Sequence, residues 1–526
     1  MDYKYETGAR LLLLNIALGL GTFIQVLDTS IANVAVPYIA GNLSVSADEG
    51  TWVITSFAVS NAIVLPLTGW LSDYFGRVRL FVYSLVLFAI MSFLCGFAGS
   101  LRELVFYRVL QGAVAGSLIP LSQSLMISSN PEDKQGMALG FWAAVVIVAP
   151  VAGPILGGYL TYVYSWPWIF YINVPIGLFS ALVVWIVLRK KESQIIRNPI
   201  DWWGLALLTI GVGALQVMLD KGKDLDWFES NVIISLTIVS VLALAYFAIW
   251  NHFQKYKIVD FSFFKMRNYA VGTFCITIGY MLFFGSTVTV PLWLQTQQGY
   301  TAYWAGIAIA PIGIIPLLFS PLLGKYLKMF DLRYVICCSF LLFAFGYFYQ
   351  ASFTTQTSLF EVMLARFYQG FGLLLFFLPL VQLSLGGIPK ERYASAAGLF
   401  NFIRILVGSG FGTSLAMEAW YRFSIFHHGR LSEAITIYRP LVTHFYETLG
   451  NISPNFAPPI VNNIIEMQLQ QQAFMLSTND LSWMAAWSFI ILAPLPLFCC
   501  KRVKFRHPES RSILHAHKHL FKHSRF

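Results

Sequence analysis

The sequence Arg108-Val-Leu-Gln-Gly112 recurs as Arg366-Phe-Tyr-Gln-Gly370, 258 residues further along the chain. A second match follows in the same order, because the segment 131–140, PEDKQGMALG, is echoed by 389–398, PKERYASAAG. Both matches have the same offset, and the interval from the arginine to the loop proline is 23 residues in each copy. An ordered series of this kind indicates that the chain contains two copies of one unit.

The residues around the repeats are unusually apolar. Of the 526 residues, 57% are hydrophobic and only 11% are charged, whereas soluble proteins carry about 25% charged residues. A chain with so little charge cannot cover its surface with ionised groups, so its surface faces lipid. The composition also excludes a disordered chain, a collagen, a coiled coil and a secreted disulfide scaffold.

Windows of about 20 apolar residues predict fourteen membrane helices. They lie near 11–36, 50–71, 79–99, 103–127, 136–160, 166–188, 201–219, 231–251, 269–294, 303–325, 333–352, 359–386, 393–420 and 482–500. Each copy of the repeat holds six spans, and the pair near 201–251 lies between the copies. We therefore predict an all-α polytopic membrane protein with four parts. These are an N-terminal six-helix half (1–190), an inserted helix pair with its linkers (191–265), a C-terminal six-helix half (266–500) and a basic, His-rich tail (501–526).

The basic residues predict the orientation of this chain. An even number of spans puts both termini on one side of the membrane, and 26 of the 35 Lys and Arg residues fall on that side. Six fall on the opposite side and three lie inside spans. The positive-inside rule then places both termini in the cytoplasm. The net charge of +10 reflects this topology rather than a nucleic-acid surface.

Several motifs resemble those of a known transporter family. The segment 69–79, GWLSDYFGRVR, is similar to the loop motif of the major facilitator superfamily, and 27–37 and 149–158 resemble the marks of its fourteen-helix drug:proton antiporter branch. Segments 201–228, 300–306 and 401–404 resemble the EmrB-type multidrug export permeases. One departure is Trp-Pro-Trp at 166–168, where that family usually has Trp-Arg-Trp.

The resemblance implies a major-facilitator fold and a proton-coupled multidrug efflux permease of the bacterial inner membrane. Such a permease exports lipophilic toxic compounds by alternating access and works with a periplasmic adaptor and an outer-membrane channel. We expect no cofactor, since the proton gradient drives transport and the sequence has no Walker loop. An exporter of a specific metabolite, or an importer or uniporter on the same fold, remains an alternative. A membrane enzyme is disfavoured, because no span carries a histidine base.

Two charged residues inside spans are candidates for proton coupling. Asp28 lies in an apolar run of about 26 residues, where a charge is costly and normally faces a cavity or a partner. A carboxyl group there can load and release a proton, and Arg108, which stays charged, can tune it. Gln25 shares a helical face with Asp28, and Gln111 shares one with Arg108, so we place both glutamines at the substrate cavity. The alternative is a fixed structural pair.

The C-terminal copy carries a different set of polar residues. Asn401, Arg404 and Glu418 in span thirteen are separated by 3 and 14 residues, which predicts one polar stripe facing the substrate cavity. For Glu418 the alternative is an interfacial glutamate in water. Arg366 is the repeat mate of Arg108, but no matching acid lies within the spans of this half, so we expect Arg366 to be structural.

Four further residues are candidates for gating. Asp73 and Arg77 follow the second span and are predicted to form a latch on the cytoplasmic side; the alternative is ordinary topogenic charge. Gly153 and Pro154 belong to the antiporter motif and are expected to pack closely and bend the fifth span. The alternative is the glycine spacing that is common in any membrane helix.

Two segments outside the spans also invite predictions. The connection 421–481 is predicted as a long periplasmic loop in which 466–475 has helical spacing. We expect it either to dock the adaptor or to form a solvated cap without a partner. In the tail, His515, His519 and His523 would share one helical face, which allows weak metal binding, although a basic tail at the membrane surface is the stronger interpretation. We predict no metal site elsewhere, because no cysteine pair has the CxxC spacing.

Overall fold

The computed structural model describes residues 6–196, 199–433, 435–436, 439–440, 442–445, 448 and 458–501. Over these residues the chain is helical and has no β-strand. The predicted tail beyond Lys501 therefore lies outside the described residues, together with its histidines.

The N-terminal half and the inserted pair comprise twelve α-helices. They are α1 (Gly8–Asn42), α2 (Ala47–Gly50), α3 (Trp52–Val64), α4 (Thr68–Phe75), α5 (Arg77–Phe97), α6 (Leu101–Ala115), α7 (Leu118–Ser129), α8 (Gln135–Val163), α9 (Trp168–Tyr171), α10 (Asn173–Leu188), α11 (Trp202–Lys221) and α12 (Asn231–Phe253). The last two, α11 and α12, are the inserted pair.

The C-terminal half continues with the following α-helices, for which both ends lie in its described residues. They are α13 (Arg267–Thr296), α14 (Ala302–Ile309), α15 (Pro311–Tyr326), α16 (Leu332–Gln350), α17 (Leu359–Leu385), α18 (Tyr393–Ile403), α19 (Gly412–Ser432), α20 (Pro458–Leu492) and α21 (Leu495–Cys499). A π-helix (Arg404–Phe411) joins α18 to α19. We call the end of the bundle at which α1 begins and α21 ends the terminal face.

Thirteen helices in the described residues are long and apolar enough to cross a membrane, and the two arms of α8 make a fourteenth span if they are counted together. The arms of α8 meet at an angle of 45°. Pro150 and Pro154 lie inside this helix and each removes a backbone hydrogen bond, which is the physical cause of a kink. The all-helical fold and the span count agree with the sequence prediction.

Both ends of the predicted loop 421–481 are helical in the described residues. Helix α19 runs to Ser432 and α20 starts at Pro458, so both helices extend beyond the predicted spans, and the stretch 466–475 lies within α20. Side-chain hydrogen bonds join the two extensions, with His427 bonded to Asp480 at 2.6 Å and His428 to Glu466 at 2.8 Å. A hydropathy window misses these extensions because they are polar.

The two halves contact each other closely at the terminal face. A Cβ atom on Gly136 of α8 would lie 2.2 Å from the carbonyl oxygen of Gly324 on α15, and one on Gly140 would lie 2.3 Å from that of Ser320. On the other side of the interface, a Cβ on Gly69 would lie 2.6 Å from the side chain of Ser395. Only residues without side chains allow the backbones to approach this closely.

The inserted pair packs against the N-terminal half and contacts the C-terminal half. Helices α11 and α12 meet where Ser240 donates a hydrogen bond to the carbonyl of Gly211, at 2.9 Å. The end of α11 reaches α3, because the ammonium group of Lys221 bonds the hydroxyl of Thr51 at 2.6 Å. It also reaches α19, where the hydroxyl of Ser414 donates to the carbonyl of Leu219 at 3.0 Å.

Candidate functional site

Asp28 lies at the centre of a buried hydrogen-bond cluster in the N-terminal half. The side chain is fully buried, and its Oδ2 atom lies 2.5 Å from Nη1 of Arg108 on α6. The Oδ1 atom accepts from Nδ2 of Asn173 on α10 at 2.8 Å and from Nε2 of Gln111 at 3.3 Å. One carboxylate therefore joins α1, α6 and α10, and its charge is opposed by the arginine within the same cluster.

Arg108 is held by further contacts. Its Nε atom donates to the carbonyl of Val53 at 2.9 Å, and Nη1 also donates to Oε1 of Gln111 at 2.8 Å. The guanidinium group lies 4.3 Å from the ring centroid of Phe57 and 5.4 Å from that of Phe170. These cation–π contacts and hydrogen bonds compensate for the loss of water around the buried charge.

The sequence interpretation missed Asn173 and placed Gln25 differently. Asn173 was one amide in an apolar span, and only its contact with Asp28 across the fold reveals its part in the cluster. Gln25 lies on the same helix as Asp28 and is buried, but neither atom of its amide has a hydrogen-bond partner within the described residues. Gln25 is thus an unpaired polar group one turn away from the Asp28 cluster.

The C-terminal half repeats the arginine but not the acid. Nη1 of Arg366 donates to Oε1 of Gln369 at 2.8 Å, as Arg108 does to Gln111. Nη2 of Arg366 bonds the hydroxyl of Ser286 at 3.1 Å. Ser286 stands 258 residues after Asp28, so it occupies the repeat position of the acid. The duplicated scaffold therefore contains a carboxylate in one copy and a neutral hydroxyl group in the other.

The three residues of the polar stripe predicted in span thirteen do not lie together in the structure. Nη2 of Arg404 donates to Oδ1 of Asn401 at 2.8 Å, so these two side chains are in contact. Glu418 faces the inserted pair instead and accepts a hydrogen bond from the indole of Trp227 at 2.9 Å, while Arg422 also bonds it. The prediction of a shared face assumed a regular α-helix, but the π-helix 404–411 has more residues per turn and changes the direction of every later side chain.

Asp73 and Arg77 lie at the terminal face. Nη2 of Arg77 donates to the backbone carbonyl of Glu391 in the C-terminal half at 2.7 Å. The carbonyl of Asp73 accepts from the amide of Ile196, in the linker that precedes the inserted pair, at 2.8 Å. This loop therefore touches both the other half and the linker. Gly76 between the two residues has a φ of 89°, a conformation that favours glycine.

Gly153 lies where α8 contacts α1, and Pro154 follows it in α8. A Cβ atom on Gly153 would lie 2.4 Å from the hydroxyl oxygen of Ser30. Pro154 cannot donate the backbone hydrogen bond that the carbonyl of Pro150 would receive in a regular helix, and the hydroxyl of Ser30 donates to that carbonyl at 2.8 Å. The backbone carbonyl that the proline leaves without its helical partner thus accepts a hydrogen bond from Ser30, two residues away from Asp28.

A separate apolar cavity lies between the N-terminal half and α11. Its volume is about 410 Å³, and residues such as Leu67, Tyr83, Val114 and Leu205 line it. None of the predicted site residues lines this cavity. Among the residues that the structure describes there is also no group of three His, Cys, Asp or Glu side chains arranged to hold a metal ion.

Comparison with known proteins agrees with this architecture. Residues 18–413 match the Major Facilitator Superfamily. The Multidrug export protein EmrB of Escherichia coli (strain K12) is 46% identical over 492 residues, which cover 93% of this chain and 96% of the relative. The Fatty acid resistance protein FarB of Neisseria gonorrhoeae is 45% identical over 496 residues, 94% of this chain and 97% of the relative.

A solved structure shows the same fold at much lower identity. A bacterial homolog of the human lysosomal transporter Spinster, in an inward-facing and unoccupied conformation, superposes with a TM-score of 0.54 at 16% identity, covering 94% of this chain and 99% of the other. These matches, with the membrane-spanning helices, describe a multi-pass transporter of the inner membrane and not an enzyme. The chain therefore belongs to the major facilitator superfamily, in the group of EmrB-type multidrug export permeases.

Proposed function

We propose that this permease exports lipophilic compounds in exchange for protons, with Asp28 as the group that binds the proton. The observation that supports this proposal is the buried contact between Asp28 and Arg108 at 2.5 Å. A buried carboxylate must be paired or neutralised, so separation from Arg108 favours protonation of Asp28, and return to Arg108 favours release. A conformational change that opens and closes this pair would couple proton movement to alternating access.

The other predicted residues have supporting roles in this proposal. Gln25, Gln111, Asn401 and Arg404 provide polar groups at the substrate cavity between the halves, and Glu418 lies further out, beside Trp227. Asp73 and Arg77 help to hold the terminal face closed, and Gly153 and Pro154 allow α8 to bend against α1. The terminal face is the cytoplasmic one, because most of the basic residues fall on that side. No bound cofactor takes part.

Partners are proposed from the relatives and from the extended helices. The extensions of α19 (421–432) and α20 (458–481) would then project from the membrane on the periplasmic side. There an adaptor protein and an outer-membrane channel would complete a tripartite pump. The names of EmrB and FarB support lipophilic toxic compounds, fatty acids among them, as the substrates.

Efflux of a lipophilic dye from bacteria that lack their own pumps tests the proton coupling. Wild type, Asp28→Asn and the exposed control Asp133→Asn are compared with and without a protonophore, with membrane expression checked by blotting. We expect wild type and Asp133→Asn to extrude dye until the protonophore is added, and Asp28→Asn to behave like cells without the permease. Efflux by Asp28→Asn equal to that of wild type would show that Asp28 is structural. If wild type extrudes no dye, the assay is repeated with a matching adaptor, and failure there contradicts export.

A further inference from the structure

The linker that leads from the N-terminal half to the inserted pair covers the first turn of α5. The backbone N–H groups at the start of a helix have no partner within that helix. In α5, the N–H of Arg77 donates to the hydroxyl of Ser193 at 3.1 Å. Those of Val78 and Arg79 donate to the two carboxylate oxygens of Glu192, at 3.0 and 2.9 Å. The first three N–H groups of α5 therefore all find their acceptors in the linker.

Helix α5 has no capping side chain of its own. The residue that precedes it is Gly76, and its first turn contains no acidic residue. The carboxylate of Glu192 takes over this task, because an anion at a helix N-terminus satisfies the free N–H groups and is favoured by the helix dipole. Gly76 also leaves room for that carboxylate, since a Cβ atom on it would lie 2.5 Å from Cδ of Glu192.

The corresponding helix of the C-terminal half is capped locally. Asp331 stands 258 residues after Asp73, and its side chain accepts a hydrogen bond from the backbone N–H of Arg333 in the first turn of α16, at 3.1 Å. In the N-terminal half, Asp73 instead contacts the linker, because its backbone carbonyl accepts from the amide of Ile196 at 2.8 Å. One half thus supplies the cap from the loop itself, and the other supplies it from the linker to the inserted pair.

The capped end of α5 also carries a contact between the two halves. Arg77 is the first residue of α5, and its guanidinium group donates to the backbone carbonyl of Glu391 in the C-terminal half at 2.7 Å. Four residues further on, Ser395 packs against Gly69 of the N-terminal half, where a Cβ atom would lie 2.6 Å from the serine side chain. The linker therefore holds the backbone of Arg77, while its side chain reaches the other half. A shift of the first turn of α5 would move this arginine relative to Glu391.

We propose that Glu192 is a positioning residue for the latch at the terminal face. Its carboxylate fixes the first turn of α5 and thereby holds Arg77 against Glu391 while that face is closed. This inference rests on the proposed function, in which the terminal face opens and closes during transport, and it adds a residue that lies outside the predicted gating motifs. The linker would then connect the inserted pair to the latch, which gives the pair a part in gating.

Cysteine labelling at the closed interface tests the inference. The full-length permease in lipid nanodiscs keeps the buried Cys275 as its one native cysteine and carries Ser395→Cys, whose reaction with N-ethylmaleimide is faster when the terminal face opens more often. We expect Glu192→Gln to raise the labelling rate at position 395 about 3- to 10-fold, because the amide loses the charge and one of the two acceptor oxygens. Glu192→Asp keeps the charge on a shorter side chain and should give an intermediate rate. The exposed Glu433→Gln is the control and should match wild type.

Labelling of Cys275, measured in the same samples by mass spectrometry, separates positioning from a general loss of structure. Its rate should stay the same in every variant, because this thiol lies in the core of the C-terminal half. A parallel rise at Cys275 and at position 395 in Glu192→Gln would assign Glu192 a purely structural role, and an unchanged rate at position 395 would show that the latch does not depend on Glu192. The measurement needs neither a proton gradient nor a substrate, so a latch that depends on Glu192 would stand even if Asp28 proved not to couple protons.

Discussion

Asp28 joins three helices, α1, α6 and α10, through its buried carboxylate. Its carboxylate accepts from Arg108, Asn173 and Gln111, and the guanidinium of Arg108 is bonded to the carbonyl of Val53 as well. Removing one partner of a buried ion pair leaves an uncompensated charge, and that is more damaging than removing a pair on the surface. The cluster therefore contributes to stability as well as to the proposed coupling.

We predict that Asp28→Ala destabilises the permease by about 3–5 kcal/mol, because it leaves Arg108 buried without its counter-ion. Asp28→Asn should cost less, since its amide oxygen still accepts a hydrogen bond. The free energy of unfolding in mixed micelles measures both, with the exposed Asp133→Ala expected within about 0.5 kcal/mol of wild type. Equal stability of Asp28→Ala and Asp133→Ala would mean that the ion pair does not hold α1 and α6 together.

Helices α8 and α15 form the contact that closes the terminal face. Their backbones meet at Gly136 and Gly324, where an added Cβ atom would lie 2.2 or 2.1 Å from the facing carbonyl oxygen. An approach this close tolerates no side chain, and backbone cannot move aside as a flexible side chain can. Gly158, on the same α8, has open space around the position of a Cβ atom.

We predict that Gly324→Ala blocks closure of the terminal face and abolishes dye efflux. The variant should still be expressed in the membrane, since each half keeps its own core. Gly158→Ala, in open space, is the matched control and should transport like wild type. Should Gly324→Ala transport normally, the close contact would not be required at any step of the cycle.

Asp260, in the linker that follows the inserted pair, forms an ion pair with Arg392 of the C-terminal half at the terminal face. Burial opposes ionisation of Asp260, but hydrogen bonds from Ser262 and Arg392 and the charge of Arg392 together lower its pKa from the ordinary value. A lowered pKa in the folded state adds stability that is present above the ordinary value of 3.8 and is lost as the pH falls through the lowered pKa.

We therefore expect Asp260→Asn to reduce the free energy of unfolding by a constant amount between pH 7 and pH 5. The pair is partly exposed, so the amount is about 0–1 kcal/mol. The difference between wild type and variant should shrink only below about pH 4, as the carboxyl of the folded wild type takes up a proton. Unfolding curves at pH 7, 5 and 3.5 measure it, and a difference that already shrinks between pH 7 and pH 5 would contradict the lowered pKa.

The molecule consists of two related halves joined tightly at the terminal face, with α11 set against both. The same arginine–glutamine pair is built in each half, at 108 and 111 and again at 366 and 369. The position that contacts this arginine differs between the halves: it is Asp28 in the first and Ser286 in the second. Proton binding in the first half alone, as proposed above, would give the two halves different tasks on a common scaffold.

We predict that the terminal face is cytoplasmic. In a variant without native cysteines, Glu229→Cys should react with a membrane-impermeant maleimide in intact spheroplasts, because it lies in the exposed connection between α11 and α12. Asp133→Cys, exposed at the terminal face, should react only after lysis. The reverse pattern would show that the basic residues do not set the orientation of this chain.

Much of the fold was predictable from the sequence. The membrane location and the number of spans follow from long apolar windows, because a helix is the structure that satisfies its own backbone in lipid. The repeat around Arg108 and Arg366 indicated two halves, and the motifs indicated the family. Charged residues inside spans are rare and costly, so Asp28 and Arg108 were visible as candidates before any contact was known.

The contacts themselves were decided by the tertiary structure alone. Asn173 reaches Asp28 across 145 residues of sequence, and no local pattern distinguishes it from any other amide in a span. The π-helix separates Glu418 from Arg404 because it changes the helical period, which a spacing rule takes as constant. The extensions of α19 and α20 escaped hydropathy because packing between helices, rather than contact with lipid, holds them helical. Apolar length and charge are local properties of the sequence, whereas hydrogen-bond partners and close approaches arise only when distant helices pack together.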